Sequence, residues 1–379
     1  LAERKRVGIM IPVCEPLMEG KELEYVLDCL KTNWISSRGK YIEEFEQKFA
    51  KYCGSRFGVS TTNGTTALHL AVASLGLGPG DEVIVPAFTM IAPVFAIVYA
   101  GARPVLVDAE PKTWNMDVDK IQAKITEKTR AIMPVHIYGH PCDMDPIMEM
   151  ARQYDLYVIE DAAEVHGAEY KGRKAGGIGD IGCFSFYANK IITTGEGGMV
   201  VTNNEKIAEK AGLLKDLAHS KKRRYLHTHL AFNYRMTNVQ AAIGLAQLER
   251  IDEYVEKRRK NARLYNSLLK DVKGITLPSE MPWAKNVYWM YSILVGDGFP
   301  LERDELMDRL EEKEIGTRSF FIPMHQQPVF KNMGLFQGES YPVAERLSRE
   351  GLYLPSGSGL TSEEIEYTCQ IIRGISRSA

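Results

Sequence analysis

None of the six cysteines, at positions 14, 29, 53, 142, 183 and 369, forms a C-x-x-C pair with another. That excludes a zinc ribbon and offers no disulfide framework, so reduced thiols in a cytoplasmic protein are expected. No apolar run approaches the roughly 20 residues needed to cross a bilayer. Val7–Val13 is too short for a signal-peptide core and has no small-residue cleavage site. Charge of one sign is missing too: 47 Lys+Arg against 49 Asp+Glu leave a net −2. Such a balance predicts neither a nucleic-acid partner nor a membrane surface. There is no internal repeat, no low-complexity tract and no appended helix-turn-helix. What remains is 45% hydrophobic and 25% charged over 379 residues. That is the composition of a soluble globular enzyme. The length calls for a large domain with a smaller one attached.

Periodicity places the elements. Apolar Leu23, Val26, Leu27 and Leu30 predict a helix over 20–32, and Phe45 and Phe49 one over 41–52. Val59–Thr65 reads as a strand end and turn that opens a helix carrying Leu68, Val72 and Leu75, stopped by Gly76 and Gly78. Strands are predicted at 82–85, 103–107, 130–135, 157–160, 182–186 and 198–202, with helices at 91–99, 118–125 and 145–154. The alternation predicts an α/β domain around a mainly parallel sheet. From Asn238 to about Leu269 the chain reads as one long helix. A break at Gly274–Pro282 precedes a smaller α+β part with a strand over 288–295 and a helix over 303–313. The division expected is 1–250 for the large domain and 251–379 for the smaller one.

Four features carry chemistry. Asn63-Gly-Thr-Thr66 stands where a helix begins; read alone it is an ordinary cap or a phosphate site built on free N–H groups and the helix dipole. Asp161 closes the apolar strand Tyr157-Val-Ile-Glu-Asp161, where open α/β sheets bind ligands; read alone it is as well a helix N-cap. Ser185 lies in the strand before Lys190. Lys190 itself, in Cys183-Phe-Ser-Phe-Tyr-Ala-Asn-Lys-Ile-Ile-Thr-Thr-Gly-Glu-Gly-Gly198, has no packing role. An amine buried there would be nucleophilic. Phosphate donors, an acid, a serine and a lysine in that order suit pyridoxal phosphate, whose pyridine nitrogen needs an acid to keep it protonated. Gly177-Ile-Gly-Asp-Ile-Gly182 matches G-x-G-x-x-G, but it follows a polar loop and leads into a strand, so a dinucleotide site is rejected.

With these motifs in view, the chain resembles the sugar aminotransferases of the DegT/DnrJ/EryC1/StrS family nearly end to end. The likeness is carried by Asn63-Gly-Thr-Thr-Ala-Leu-His69, Glu160-Asp-Ala-Ala-Glu-Val-His-Gly167, Phe184-Ser-Phe-Tyr-Ala-Asn-Lys190, Gly195-Glu-Gly-Gly198 and Phe232-Asn-Tyr-Arg-Met-Thr-Asn238. The resemblance implies the fold type I architecture of pyridoxal-phosphate-dependent aminotransferases. It implies that Lys190 bonds the cofactor and is the catalytic residue, and that Asp161 pairs with the pyridine nitrogen. It puts Gly64, Thr65, Thr66 and Ser185 on the phosphate. Asn233 would reach the phosphate from the partner subunit, which makes a homodimer. Glu164, near the phenolic oxygen, stands where the family commonly has glutamine. Met90 stands where an aromatic usually stacks on the ring, with Phe88 two residues earlier as a substitute.

The resemblance further implies amination of the C4 keto group of GDP-4-keto-6-deoxymannose with glutamate as donor. The wording behind it includes Asn189-Lys-Ile-Ile-Thr-Thr-Gly-Glu-Gly-Gly198 and Phe320-Phe-Ile-Pro-Met-His325. His325 would lie near the sugar, or serve as a hydrogen-bonded loop histidine. Lys221-Lys-Arg-Arg224, among His219, His227 and His229, reads as a surface loop near the subunit interface, open to a nucleotide-diphosphate contact. The alternatives are a UDP- or dTDP-linked keto sugar aminated at C4 or C3, and a silent regulatory protein of the same fold. A dehydratase branch carries histidine where this chain has Lys190, which argues against dehydration.

Overall fold

The computed structural model describes residues 10–220, 222–223 and 225–377. Its centre is a seven-stranded sheet in the order Phe57–Thr61, Gly198–Thr202, Ile181–Ser185, Tyr157–Asp161, Thr129–Ile132, Glu82–Pro86, Arg103–Val107. The five strands from 82 to 185 run parallel. Gly198–Thr202 runs antiparallel to both its neighbours. The central strands Glu82–Pro86, Ile181–Ser185 and Gly198–Thr202 are buried throughout. That is why they read as continuous apolar runs rather than alternating ones. The carboxyl ends of Phe57–Thr61, Glu82–Pro86, Tyr157–Asp161 and Ile181–Ser185 lie along one edge, and they lead into Gly64, Phe88 and Met90, Glu164, and Lys190 respectively.

A second, four-stranded sheet pairs Ile275–Thr276, Tyr291–Val295, Gly351–Leu354 and Arg318–Ser319. Its own core includes Ala262, Tyr265, Leu269, Ile293, Leu352 and Ile372. Val287, Trp289, Met290, Phe320 and Phe330 pack instead into the core of the large sheet. A three-stranded ribbon joins Ala284–Lys285 to Glu169–Tyr170 and Arg173–Lys174. At the other end Ile11 hydrogen-bonds to Glu314 and Gly316, and Val13 to Ser356, so the first described residues lie beside the smaller part of the chain.

Two expected helices differ. The long helix over 238–269 is two, Asn238–Leu248 and Ile251–Leu269. Arg250 breaks helical geometry between them (φ −121°, ψ 12°). The first buries Ala241, Ala242 and Leu245 in the large core. The second starts there with Ile251, Tyr254 and Val255 and ends in the other core. The helix expected over 118–125 is a pair of short 3₁₀ turns, Val118–Lys120 and Gln122–Lys124. The tight turns leave Ile121 fully buried.

Candidate active site

Lys190 follows the strand Ile181–Ser185 in a turn closed by its own N–H to the Tyr187 carbonyl at 2.9 Å. Its side chain is 10% exposed, and Nζ lies 3.8 Å from Glu164 Oε1. Burial holds the amine below the usual lysine range, while the Glu164 and Asp161 carboxylates pull it back upward. Asp161 closes the adjacent parallel strand and is buried. Among the described residues its one side-chain hydrogen bond, from the Ala163 N–H at 3.0 Å, leaves acceptor capacity free. Burial raises its carboxyl, with that bond and Lys190 opposing.

Glu164 is buried as well, and burial raises its carboxyl against the pull of Lys190. Oε2 accepts the Tyr138 N–H at 2.7 Å. Tyr138 adopts a left-handed backbone (φ 53°) beside Gly139 (φ 110°). Strained backbone of that kind costs on the order of 1–3 kcal/mol and concentrates at functional sites. A side chain at Gly139 would collide with the backbone of Tyr288 and Trp289.

The phosphate candidates surround the helix Gly64–Ser74. Asn63 caps it: Oδ1 accepts the Thr66 N–H at 2.9 Å, and Thr66 Oγ1 accepts the Asn63 N–H at 3.1 Å. Thr66 is thus engaged in the cap, while the N–H groups of Gly64 and Thr65 have no intrahelical partner. A Cβ on Gly64 would stand 2.7 Å from Ser185 Cβ and 3.1 Å from its Oγ. Gly64 and Ser185, 121 positions apart, therefore form one cradle. An anion held by helix N–H groups and a serine hydroxyl fits there. A free buried amine, a buried acid with spare acceptor capacity and this cradle are the donor set pyridoxal phosphate needs.

Phe88 is buried against Tyr138, Phe320 and Phe321, with ring centres 5.8–6.2 Å away. Met90 is 45% exposed. Asn233 is exposed, and its Oδ1 accepts from Arg235 Nε at 2.9 Å. His325 is buried, and its Nε2 lies 3.0 Å from Glu345 Oε1. Its Nδ1 has no partner among the described residues. Of the basic loop, Lys221 and Arg224 lie outside the described residues.

Sequence reasoning missed Trp289. Its ring centre is 3.6 Å from Lys190 Nζ, and its Nε1–H donates to the Asn189 carbonyl at 2.8 Å. Nothing local marks a tryptophan 99 residues away as the lysine's neighbour. A cleft of about 500 Å³, lined by Cys14, Asn189, Trp289, Arg318, Phe321 and Tyr353, opens beside it. The G-x-G-x-x-G loop has a different job: the N–H groups of Gly176, Ile178 and Gly179 converge on the buried Glu160 carboxylate at 2.6–2.8 Å.

Comparison with known proteins matches the DegT/DnrJ/EryC1/StrS aminotransferase family model over residues 16–373. The GDP-perosamine synthase of Caulobacter vibrioides is 48% identical over 94% of this chain and 95% of its own. That of Escherichia coli O157:H7 is 46% identical over 96% and 97%. Among solved structures, the putative sugar aminotransferase Spr1654 from Streptococcus pneumoniae in its PLP form superposes with a TM-score of 0.91. It is 28% identical over 97% of this chain and 99% of its own. Donor set, fold and likeness agree: the chain is a pyridoxal-phosphate-dependent aminotransferase and belongs to the DegT/DnrJ/EryC1/StrS family.

Proposed function

We propose that the chain moves the amino group of L-glutamate onto the C4 keto carbon of GDP-4-keto-6-deoxymannose, yielding GDP-perosamine and oxoglutarate. What carries the reading is the nearly buried Lys190 amine beside Asp161 and Glu164, in a chain 48% identical to a GDP-perosamine synthase. Bound pyridoxal phosphate supplies a ring that accepts the electron pair left when a C–H bond beside the transferred nitrogen breaks. Lys190 holds the cofactor when no substrate is present. In its unbonded form, Nζ would take the proton from the donor's α-carbon and deliver one to C4 of the sugar. Burial suits this task, because it favours the free amine at Nζ. Asp161 keeps a proton on the pyridine nitrogen.

Gly64, Thr65, Thr66 and Ser185 bind the phosphate, Glu164 faces the phenolic oxygen, and Phe88 and Met90 flank the ring. Asn233 of the partner subunit completes the phosphate site, so the working enzyme is a homodimer. Residues 1–250 form the cofactor-bearing part and 251–379 the smaller one. His325 borders the sugar side, fixed there by Glu345. Nucleotide sugars and glutamate are cytoplasmic metabolites, and the amino sugar feeds polysaccharide synthesis.

The test is spectroscopic. Glutamate shifts the cofactor's visible absorbance and GDP-4-keto-6-deoxymannose restores it, with the new amine found in the product by mass. Restoration by a UDP- or dTDP-linked keto sugar alone would reassign the substrate. No response to glutamate would overturn the donor.

A further inference from the structure

Lys190 lies against an aromatic face. Its Nζ is 3.6 Å from the centre of the Trp289 ring. Trp289 is 4% exposed, so water scarcely competes for that face. The same side chain donates its Nε1–H to the carbonyl of Asn189, the residue immediately before the lysine. One indole thus touches both the head of Lys190 and the backbone that carries it. Trp289 is itself fixed from behind. Its carbonyl accepts from Arg258 Nη1, and that buried guanidinium also binds the Ser356 carbonyl and Ser358 Oγ at 3.0 Å each.

We propose that Trp289 is a positioning residue for Lys190: its ring face is where the unbonded amine rests, and its N–H sets the lysine's backbone. This rests on reading Lys190 as the reactive amine. A buried amine that is bonded to the cofactor in one step and free in the next needs a place to wait. A carboxylate there would hold the proton too firmly. An apolar wall would give the ammonium nothing and leave the head without direction. A π face attracts the cation, adds no net charge, and forms no hydrogen bond that must break before the amine moves. The charged and titratable groups around Nζ are Glu164 and Asp161, which favour the ammonium, Arg258, which opposes it, and Cys14 beside Arg258. His166 is near enough to feel the lysine's charge. Trp289 supplies the uncharged share of this balance. It also links the lysine to the second sheet, because Tyr291–Val295 begins two residues later.

The experiment uses the full chain freed of cofactor, so the readout is independent of turnover. Trace acylation of all amines with acetic anhydride across a pH series, followed by mass spectrometry of the Lys190 peptide, gives the lysine's titration midpoint. In Trp289→Leu the ammonium loses its face. The midpoint is expected to move down, and the free-amine fraction at a fixed pH below it to rise about three- to thirtyfold. Trp289→Phe, which keeps a ring, should retain most of the wild-type midpoint and remains informative if the leucine variant folds poorly. An unchanged midpoint, an upward move, or a phenylalanine variant that behaves like leucine would overturn the assignment. An upward move would mean that the indole merely excludes water. Whether Lys190 carries the cofactor is read separately, from the mass fixed on its peptide when the holoenzyme is reduced with borohydride.

Discussion

Two buried carboxyls and an indole share the space around a single amine, so the charge at Lys190 depends on small changes beside it. Glu164→Gln tests that directly. The carboxylate favours the ammonium, and burial opposes it. Its removal lowers the lysine's pKa further, so the acid limb of the kcat/KM profile for the keto sugar, which enters when Nζ is unbonded, should move to lower pH, where a move to higher pH contradicts the arrangement. Lys190→Ala removes the amine altogether; activity should fall at least about a thousandfold, and borohydride should fix no cofactor on the chain. His166 has a different consequence. Among Phe49, Phe184 and Phe186, neither ring nitrogen has a hydrogen bond of ordinary geometry to any of the described residues. Burial pushes its pKa down to about 3, so the unfolded chain binds the proton first on acidification. Stability present above about pH 6.5 is lost as the pH falls toward that value, by up to ~1.4 kcal/mol per pH unit. His166→Phe should flatten the fall in melting temperature between pH 6.5 and 4, measured by calorimetry.

At the scale of elements, function depends on where strands stop. Asp161 and Ser185 end adjacent parallel strands, and the turn after each delivers Glu164 and Lys190 to one edge. The helix at Gly64 can approach Ser185 only because residue 64 has no Cβ. Gly64→Ala should therefore push helix and strand apart, weakening cofactor binding by about ten- to a hundredfold, measured as the dissociation constant by absorbance titration, and lowering the melting temperature of the cofactor-free protein as well. Most strands were legible because continuous β-branched runs bounded by turns leave few alternatives. The break at Arg250 was not. Helix-forming residues run straight through it, and no local pattern marks the non-helical backbone at Arg250.

For the whole molecule, the boundary read near residue 250 separates two sheets but not two sets of packing. Val287, Trp289 and Phe320 fold back into the large core, and Ile11 packs against the core of the second sheet. Asn233 is exposed on the single chain, where its side chain binds only Arg235 among the described residues. If the site is shared, a purified hybrid of one Lys190→Ala and one Asn233→Ala subunit holds one intact site and should recover about half of wild-type activity. If each subunit supplies its own Asn233, the hybrid should stay as impaired as its parents.

The sequence by itself determined the fold class and the order of Gly64, Asp161, Glu164 and Lys190, because strand ends and helix starts are written in local chemistry: an apolar run, then an acid, a serine or a glycine. Tertiary structure alone decided which groups touch. Trp289 beneath Lys190, Tyr138 turned to aim its N–H at Glu164, and three loop amides folded onto Glu160 are contacts between distant segments. Burial and charge at each position follow from those contacts, and no local pattern encodes them.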